Sequence, residues 1–441
     1  MSRARATRES IPLAGQQLLS LLSVGVALAV TVAWALASYF SVDVVGSLIW
    51  PGDDGYCNAE TQGLGTHCFS DLAMFLGLGL TMDPEGLSGS IKFYPPLNRL
   101  GFFVFQGLAA GLGQLAAVLI YVALSAACLI LPVAWVSRGL PMRSRVLIIS
   151  LSGLLTFPFL ATVDRGNNIA FAVPVIFGFV MAIHRHRYGV AIAAVVIGSQ
   201  IKPQIGLLAV GFLVLRRYRD FVIAVVSAVS AFLMSFVIFW VLPGGLTPLQ
   251  EFKDFVLYTR FFDQYLPLTE MYPLNISFVH LLGVAYEGLG LGVASTNSLQ
   301  WFVYTSVGAA ILLIIWRGAQ LGVAIWFPAV LMGVLLTPNP VFAYYLSGAL
   351  VVASFFFHPS LARQIQDSPR VVRWLLFAAV IASLVPLLIP GGWTEAPSPT
   401  VGNGVVISAL PRLASLTWFV YLWAVAIWAT QSAGRSATRR V

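Results

Sequence analysis

Residues 184–219 read HRHRYGVAIAAVVIGSQIKPQIGLLAVGFLVLRRYR. Two basic clusters, His184-Arg185-His186-Arg187 and Arg216-Arg217-Tyr218-Arg219, enclose 28 residues whose only charge is Lys202, followed at once by Pro203. One continuous helix would cross the bilayer and put the clusters on opposite sides. Two helices broken at Lys202-Pro203 would each reach only about 20 Å, short of a hydrocarbon core of about 30 Å, and would return the chain to the side it left. Basic residues collect on the cytoplasmic side. Both clusters therefore belong on one side, and the reading is two short helices meeting inside the membrane. Non-helical backbone at that depth is tolerated only beside protein or a water-filled cavity. The pair thus points to a cavity open to the outside.

The rest of the chain supports a membrane setting. Of 441 residues, 59% are hydrophobic and 10% charged, with a mean hydropathy of +0.87. Soluble domains are about 45–50% apolar and roughly 25% charged. This excludes a soluble enzyme, a disordered chain and a fibre. Apolar runs of about 20 residues indicate an all-α polytopic protein rather than a barrel. Twelve crossings are expected, near 15–41, 113–136, 146–162, 167–184, 188–201, 203–215, 220–242, 299–316, 319–336, 341–357, 374–392 and 412–430. The first is too long for a cleaved signal peptide and stays as an anchor. With the N-terminus cytoplasmic, 18 of the 25 Lys and Arg residues fall inside, with 3 of the 17 acids. The expected setting is the plasma membrane, both termini cytoplasmic. The net charge of +8 then sets orientation and meets anionic lipid, and no nucleic-acid partner is expected. No internal repeat is visible, so residues 1–441 form one domain. Its largest outer segment is 42–112, followed by 243–298 and 393–411. Apolar pieces at 72–80 and 100–112 read as interfacial helices, and 274–294 as interfacial or re-entrant. Cys57 and Cys68, both in the first outer loop, either form a disulfide, the expected reading, or remain two unpaired thiols; Cys128 packs in a helix.

Ionisable residues in or near a membrane are expensive and mark candidate sites. Three clusters fall on the outer face. Asp71 precedes an apolar stretch, with Tyr94-Pro95-Pro96 some twenty residues on. It is either a helix cap or a carboxylate placed to take a proton from a hydroxyl nucleophile. Asp164-Arg165-Gly166-Asn167-Asn168 lies between two short crossings. It is either an ion pair closing a tight turn or, with the N-terminus of the next helix, a seat for phosphate. Gln200-Ile201-Lys202-Pro203-Gln204 puts a lysine before a proline suited to a helix's first position. Lys202 either snorkels to an interface or meets an anion. Together these suggest a lipid phosphate and a hydroxyl acceptor. No metal set, Walker loop or dinucleotide glycine pattern is evident, and the adjacent acids Asp53 and Asp54 read as solvated. Neither a metal nor another cofactor is expected.

At these residues the chain resembles the GT-C superfamily of polytopic glycosyltransferases, and most closely glycosyltransferase family 87, the actinobacterial polyprenyl-phosphate-sugar-dependent mannosyl- and arabinofuranosyltransferases. The resemblance rests on Asp71-Leu72 with Phe75, Tyr94-Pro95-Pro96, Gly166-Asn167 and Lys202-Pro203, in order across residues 71–204. It implies that Asp71 is the general base. The acceptor hydroxyl attacks the anomeric carbon and polyprenyl phosphate leaves. That leaving group needs charge stabilisation more than protonation, a role for Arg165, Asn167, Asn168, Lys202 and the two helix N-termini. Tyr94, Asp164, Gln200 and Gln204 would line the pocket. Family members often carry a late histidine motif. This chain has none between Thr337 and Tyr345, and Tyr344 and Tyr345 are expected to fill the equivalent space. The expected partners are a polyprenyl-phosphate-sugar donor, mannosyl in preference to arabinofuranosyl, and a glycolipid or glycan acceptor. The alternative is a lipid or glycan transporter or flippase, which would need intramembrane charges reachable from both faces and often repeated halves.

Overall fold

Apolar side chains in runs leave the backbone to satisfy its own hydrogen bonds, and this chain does so almost wholly as helix. The computed structural model describes residues 10–40, 95–240, 247–265, 275–289, 296–338, 341, 343–387, 389–394 and 405–438. The described helices are α1 (Leu13–Phe40), α2 (Pro96–Leu112), α3 (Gln114–Val136), α4 (Met142–Ile149), α5 (Phe157–Arg165), α6 (Ile169–His184), α7 (Tyr188–Ile201), α8 (Val210–Val214), α9 (Tyr218–Trp240), α10 (Pro248–Tyr265), α11 (Phe278–Gly288), α12 (Thr296–Arg317), α13 (Val323–Leu336), α14 (Gly348–Phe355), α15 (Pro359–Gln366), α16 (Arg370–Leu384) and α17 (Leu410–Thr438). A π-helical turn, Ser150–Leu154, extends α4; 3₁₀ turns at Pro203–Ala209 and Ala343–Ser347 lead into α8 and α14.

Among the described residues, five helices are long and apolar enough to cross a membrane: α1, α3, α9, α12 and α17. Two bent pairs raise the number to seven, Met142–Leu154 with Phe157–Arg165 at 58° and Tyr344–Phe355 with Pro359–Gln366 at 94°. This is fewer than the twelve expected, because α6, α7, the Pro203–Val214 stretch and α13 are apolar but short. The expected crossing at 374–392 is also shorter than read. Pro386 disfavours helix at the residue before it; Val385 turns extended at φ −74°, ψ 122°. The chain then enters strand β1 (Pro390–Thr394), paired antiparallel with β2 (Val405–Ser408), Trp393 opposite Val406. The helical class holds, with this small strand pair added to it.

The segment 184–219 folds as a broken hairpin. α7 ends at Lys202, whose backbone is extended at φ −142°, ψ 119°, and Pro203 opens the 3₁₀ return. The two ends remote from the break meet again: the Tyr188 and Phe212 rings are 6.5 Å apart, and the Arg217 guanidinium lies 4.1 Å from the Tyr188 ring centre. One long helix is thereby excluded. Gly198 lets the arms touch, since a β-carbon there would lie 2.5 Å from Ile205 Cγ2. Both basic turns close with the same hydrogen-bond pattern. Arg187 N–H reaches Ala182 O at 2.8 Å and His186 N–H reaches Ile183 O at 3.0 Å; Arg217 N–H reaches Phe212 O at 2.8 Å and Arg216 N–H reaches Leu213 O at 2.9 Å. This is the Schellman end, whose left-handed residue is usually glycine. Here His186 (φ 57°) and Arg216 (φ 58°) take that place.

The arginine-bearing turns gather at one end of the bundle. Ser360 Oγ lies 2.8 Å from His184 Nε2 and 3.1 Å from His358 Nδ1. Trp135 stacks on His358 with centroids 6.3 Å apart, and the Arg185 guanidinium lies 4.8 Å from the Trp135 ring centre. Ala324 N–H donates to Gln364 Oε1 at 3.0 Å, tying α13 to α15 there. Every residue of α13 is buried, making it the central helix. The long helices instead expose apolar side chains such as Val24, Leu115, Val226, Trp301 and Leu312, the signature of a lipid-facing rim. Several helices able to span a bilayer, with that rim, make this a membrane protein.

Candidate functional site

At the opposite end of the bundle, three segments distant in sequence converge. The first is the turn after α5. Tyr-, Phe- and Gly-bearing elements hold it: Gly166 is left-handed (φ 66°), Gly166 N–H bonds Val163 O and Asn167 N–H bonds Thr162 O, both at 3.1 Å. Tyr121 Oη on α3 donates to Gly166 O at 2.8 Å, and the Tyr121 ring is held edge-on between Phe105 and Phe171. The second segment is the apex of the broken hairpin, Gln200 to Gln204. The third is the 3₁₀ turn that carries Tyr344 and Tyr345.

Arg165 and Lys202, read separately from the sequence, sit on one aromatic pair. The Arg165 guanidinium is 5.2 Å from the Tyr344 ring centre and Lys202 Nζ is 5.7 Å from the Tyr345 ring centre. The two tyrosines stack with centroids 5.0 Å apart at 28°. A cation over an aromatic face gains up to about 2 kcal/mol when desolvated, and Lys202 is only 6% exposed. Gln204 Nε2 donates to Tyr345 Oη at 3.0 Å, fixing the second ring. The cluster therefore joins Arg165, Lys202, Gln204, Tyr344 and Tyr345. Asp164 is buried in the last turn of α5 beside it.

Asn98 was not singled out by the sequence, and it joins the first two segments. Its Nδ2 donates to Ile201 O at 2.8 Å and its Oδ1 accepts from Asn168 Nδ2 at 2.9 Å. The signal was present as a lone amide in Pro95-Pro96-Leu97-Asn98, immediately before an apolar run. Tyr121 was also missed, because a tyrosine within an apolar helix reads as packing.

The N-terminus of α6 does not present the open N–H groups expected of a phosphate seat. Ile169 N–H is capped by Asn167 Oδ1 at 2.9 Å, and Phe171 N–H bonds Asn168 O at 3.0 Å. Asn167, fully buried, spends its side-chain oxygen on the first N–H of the helix that follows it. The apex after Lys202 is a 3₁₀ turn, with Ile205 N–H bonded to Lys202 O at 2.9 Å. Positive charge at this end comes from side chains more than from helix ends.

Asp71, Tyr94, Cys57 and Cys68 lie outside the described residues, as do Asp53 and Asp54. Cys128 is a free, half-buried thiol in α3. Among the described residues no three His, Cys, Asp or Glu side chains group as metal ligands. No family model, no curated protein and no solved structure matches this chain.

Proposed function

We propose that the protein is a membrane glycosyltransferase of the GT-C type. It moves a sugar, mannose in preference to arabinofuranose, from polyprenyl phosphate to a hydroxyl of a glycolipid or envelope glycan. The reading includes twelve crossings, five or more of them short, with the arginine-rich turns cytoplasmic and the reaction on the outer face. The observation that carries it is the pairing of two cations on one stacked tyrosine pair, at the end of the bundle away from the arginine turns. An anion at that depth gains from both charges, where little water screens them. Charge developing on a departing lipid phosphate would be held by Arg165 and Lys202 as the sugar–oxygen bond breaks. Asp71 supplies the base that takes the acceptor's proton.

Purified full-length protein, given mannosyl and arabinofuranosyl polyprenyl phosphates with a glycan acceptor, should release polyprenyl phosphate and extend the acceptor. Asp71→Asn should abolish transfer and leave donor binding intact; near-normal turnover would remove Asp71 from the role. Arg165→Ala and Lys202→Ala should each weaken donor binding at least tenfold, the scale of a lost charge-assisted hydrogen bond, with little change in acceptor binding. Equal losses for donor and acceptor would count against a phosphate role.

A further inference from the structure

Two hydrogen-bond relays flank Lys202, and both have a fixed direction. In the first, Asn168 Nδ2 donates to Asn98 Oδ1, and Asn98 Nδ2 donates to Ile201 O. In the second, Gln200 Nε2 donates to Ser199 Oγ at 3.1 Å, and Ser199 Oγ donates to Val196 O at 2.7 Å. Each relay ends on a main-chain carbonyl of α7, which can only accept. Asn98 must therefore offer its NH₂ to Ile201, leaving its oxygen for Asn168. Ser199 must offer its proton to Val196, leaving its lone pairs for Gln200. Flipping either outer amide would set oxygen against oxygen.

The consequence falls at the outer ends. Asn168 Oδ1 and Gln200 Oε1 have no hydrogen-bond partner among the described residues, although the two residues are only 3% and 8% exposed. Buried acceptors are normally satisfied. Here each amide has one N–H committed and its acceptor open, within two residues of Lys202 in one case and three of Arg165 in the other. Cations attract an anion, but an uncommitted carbonyl oxygen repels one. Each of these oxygens calls for a neutral hydrogen-bond donor.

We infer that Asn168 Oδ1 and Gln200 Oε1 accept hydrogen bonds from hydroxyl groups of the sugar carried by the donor. The inference rests on the transferase reading and divides the site's labour. Arg165 and Lys202 hold phosphate; the two amides hold the polyol attached to it. A ligand with phosphate and no sugar satisfies the first pair of groups and leaves the second open.

The test measures binding of two probes to full-length protein in detergent, a short polyprenyl phosphate and the same lipid phosphate bearing mannose. Gln200→Met keeps side-chain length and removes the acceptor. It should weaken the mannosyl probe roughly fivefold, the worth of one neutral hydrogen bond, and leave the bare phosphate probe unchanged. Mannosyl probes lacking single ring hydroxyls give a second measurement that needs no variant. At least one should bind the wild type roughly fivefold more weakly, and that deficit should vanish in Gln200→Met. Equal weakening of both probes, or no deoxy probe losing affinity, overturns the hydroxyl assignment and leaves the two acceptors holding water. A wild type that binds neither bare nor mannosyl lipid phosphate overturns the transferase reading itself.

Discussion

Asn98 shows how one side chain can hold a site that it need not touch. It bridges the turn carrying Arg165 to the apex carrying Lys202 through two hydrogen bonds. Asn98→Ala strips Ile201 O and Asn168 Nδ2 of their partners at once. Leaving buried polar groups unpaired costs about 1–3 kcal/mol. The variant should unfold several degrees lower in a detergent thermal scan; an unchanged midpoint would mean that these bonds do not restrain the fold. At the other end, His358 is governed by burial. Burial, then the nearby His184 and Arg185, lower its pKa from 6.5 to about 4. His280 is likewise lowered to about 4, by burial and then by Arg412. Between those values the unfolded histidines bind protons that the folded ones refuse, so stability rises with pH. The protein should lose stability as pH falls from about 6.5 toward about 4, and the slope should shrink in His358→Gln. An identical slope in that variant would acquit His358.

Among elements, the broken hairpin 188–215 depends on close contact between its arms. Gly198 faces Ile205 with no room for a β-carbon. Gly198→Val should push the arms apart and move Lys202 off the Tyr345 ring, costing a few kcal/mol by overpacking. Donor binding should fall with stability, and Ile205→Ala in the same chain should restore part of both; a fully stable Gly198→Val alone would show that the arms can slide. The hairpin was legible in the sequence because charge and length conflict there: two basic clusters could share a side only if the chain broke at Lys202-Pro203. The helix positions were legible for the same reason, as apolar runs ended by arginines or prolines. What stayed hidden is long-range. Nothing in Tyr344 or Tyr345 says which cation each ring receives. Nothing near Asn167 distinguishes a phosphate ligand from a helix cap. The end of α16 was overrun because Val385 to Ile389 is as apolar as the helix before it, and hydropathy does not see a proline's effect on backbone shape.

For the whole molecule, the arrangement of ends matters more than the number of crossings. Tyr188 meets Phe212 and Arg217, while His184 meets His358 through Ser360. The turns at 185–187, 216–219 and 358–360 therefore share one end of the bundle, and Asn98, Arg165, Lys202 and Tyr344 share the other. In a bilayer this forces a specific pattern of accessibility. With Cys57, Cys68 and Cys128 replaced by serine, single cysteines at Arg187 and Arg217 should react with a membrane-impermeant thiol reagent from the same side, the cytoplasmic one if the arginine excess sets orientation. Labelling of Arg187→Cys and Arg217→Cys from opposite sides would require the hairpin to open into one long helix. That would carry Lys202 from an apex packed on Tyr345 to the middle of a span, and would separate it from Arg165. The pairing of Arg165 with Lys202, on which the proposed phosphate site rests, thus stands or falls with the side on which two arginines, thirty residues apart in sequence, emerge.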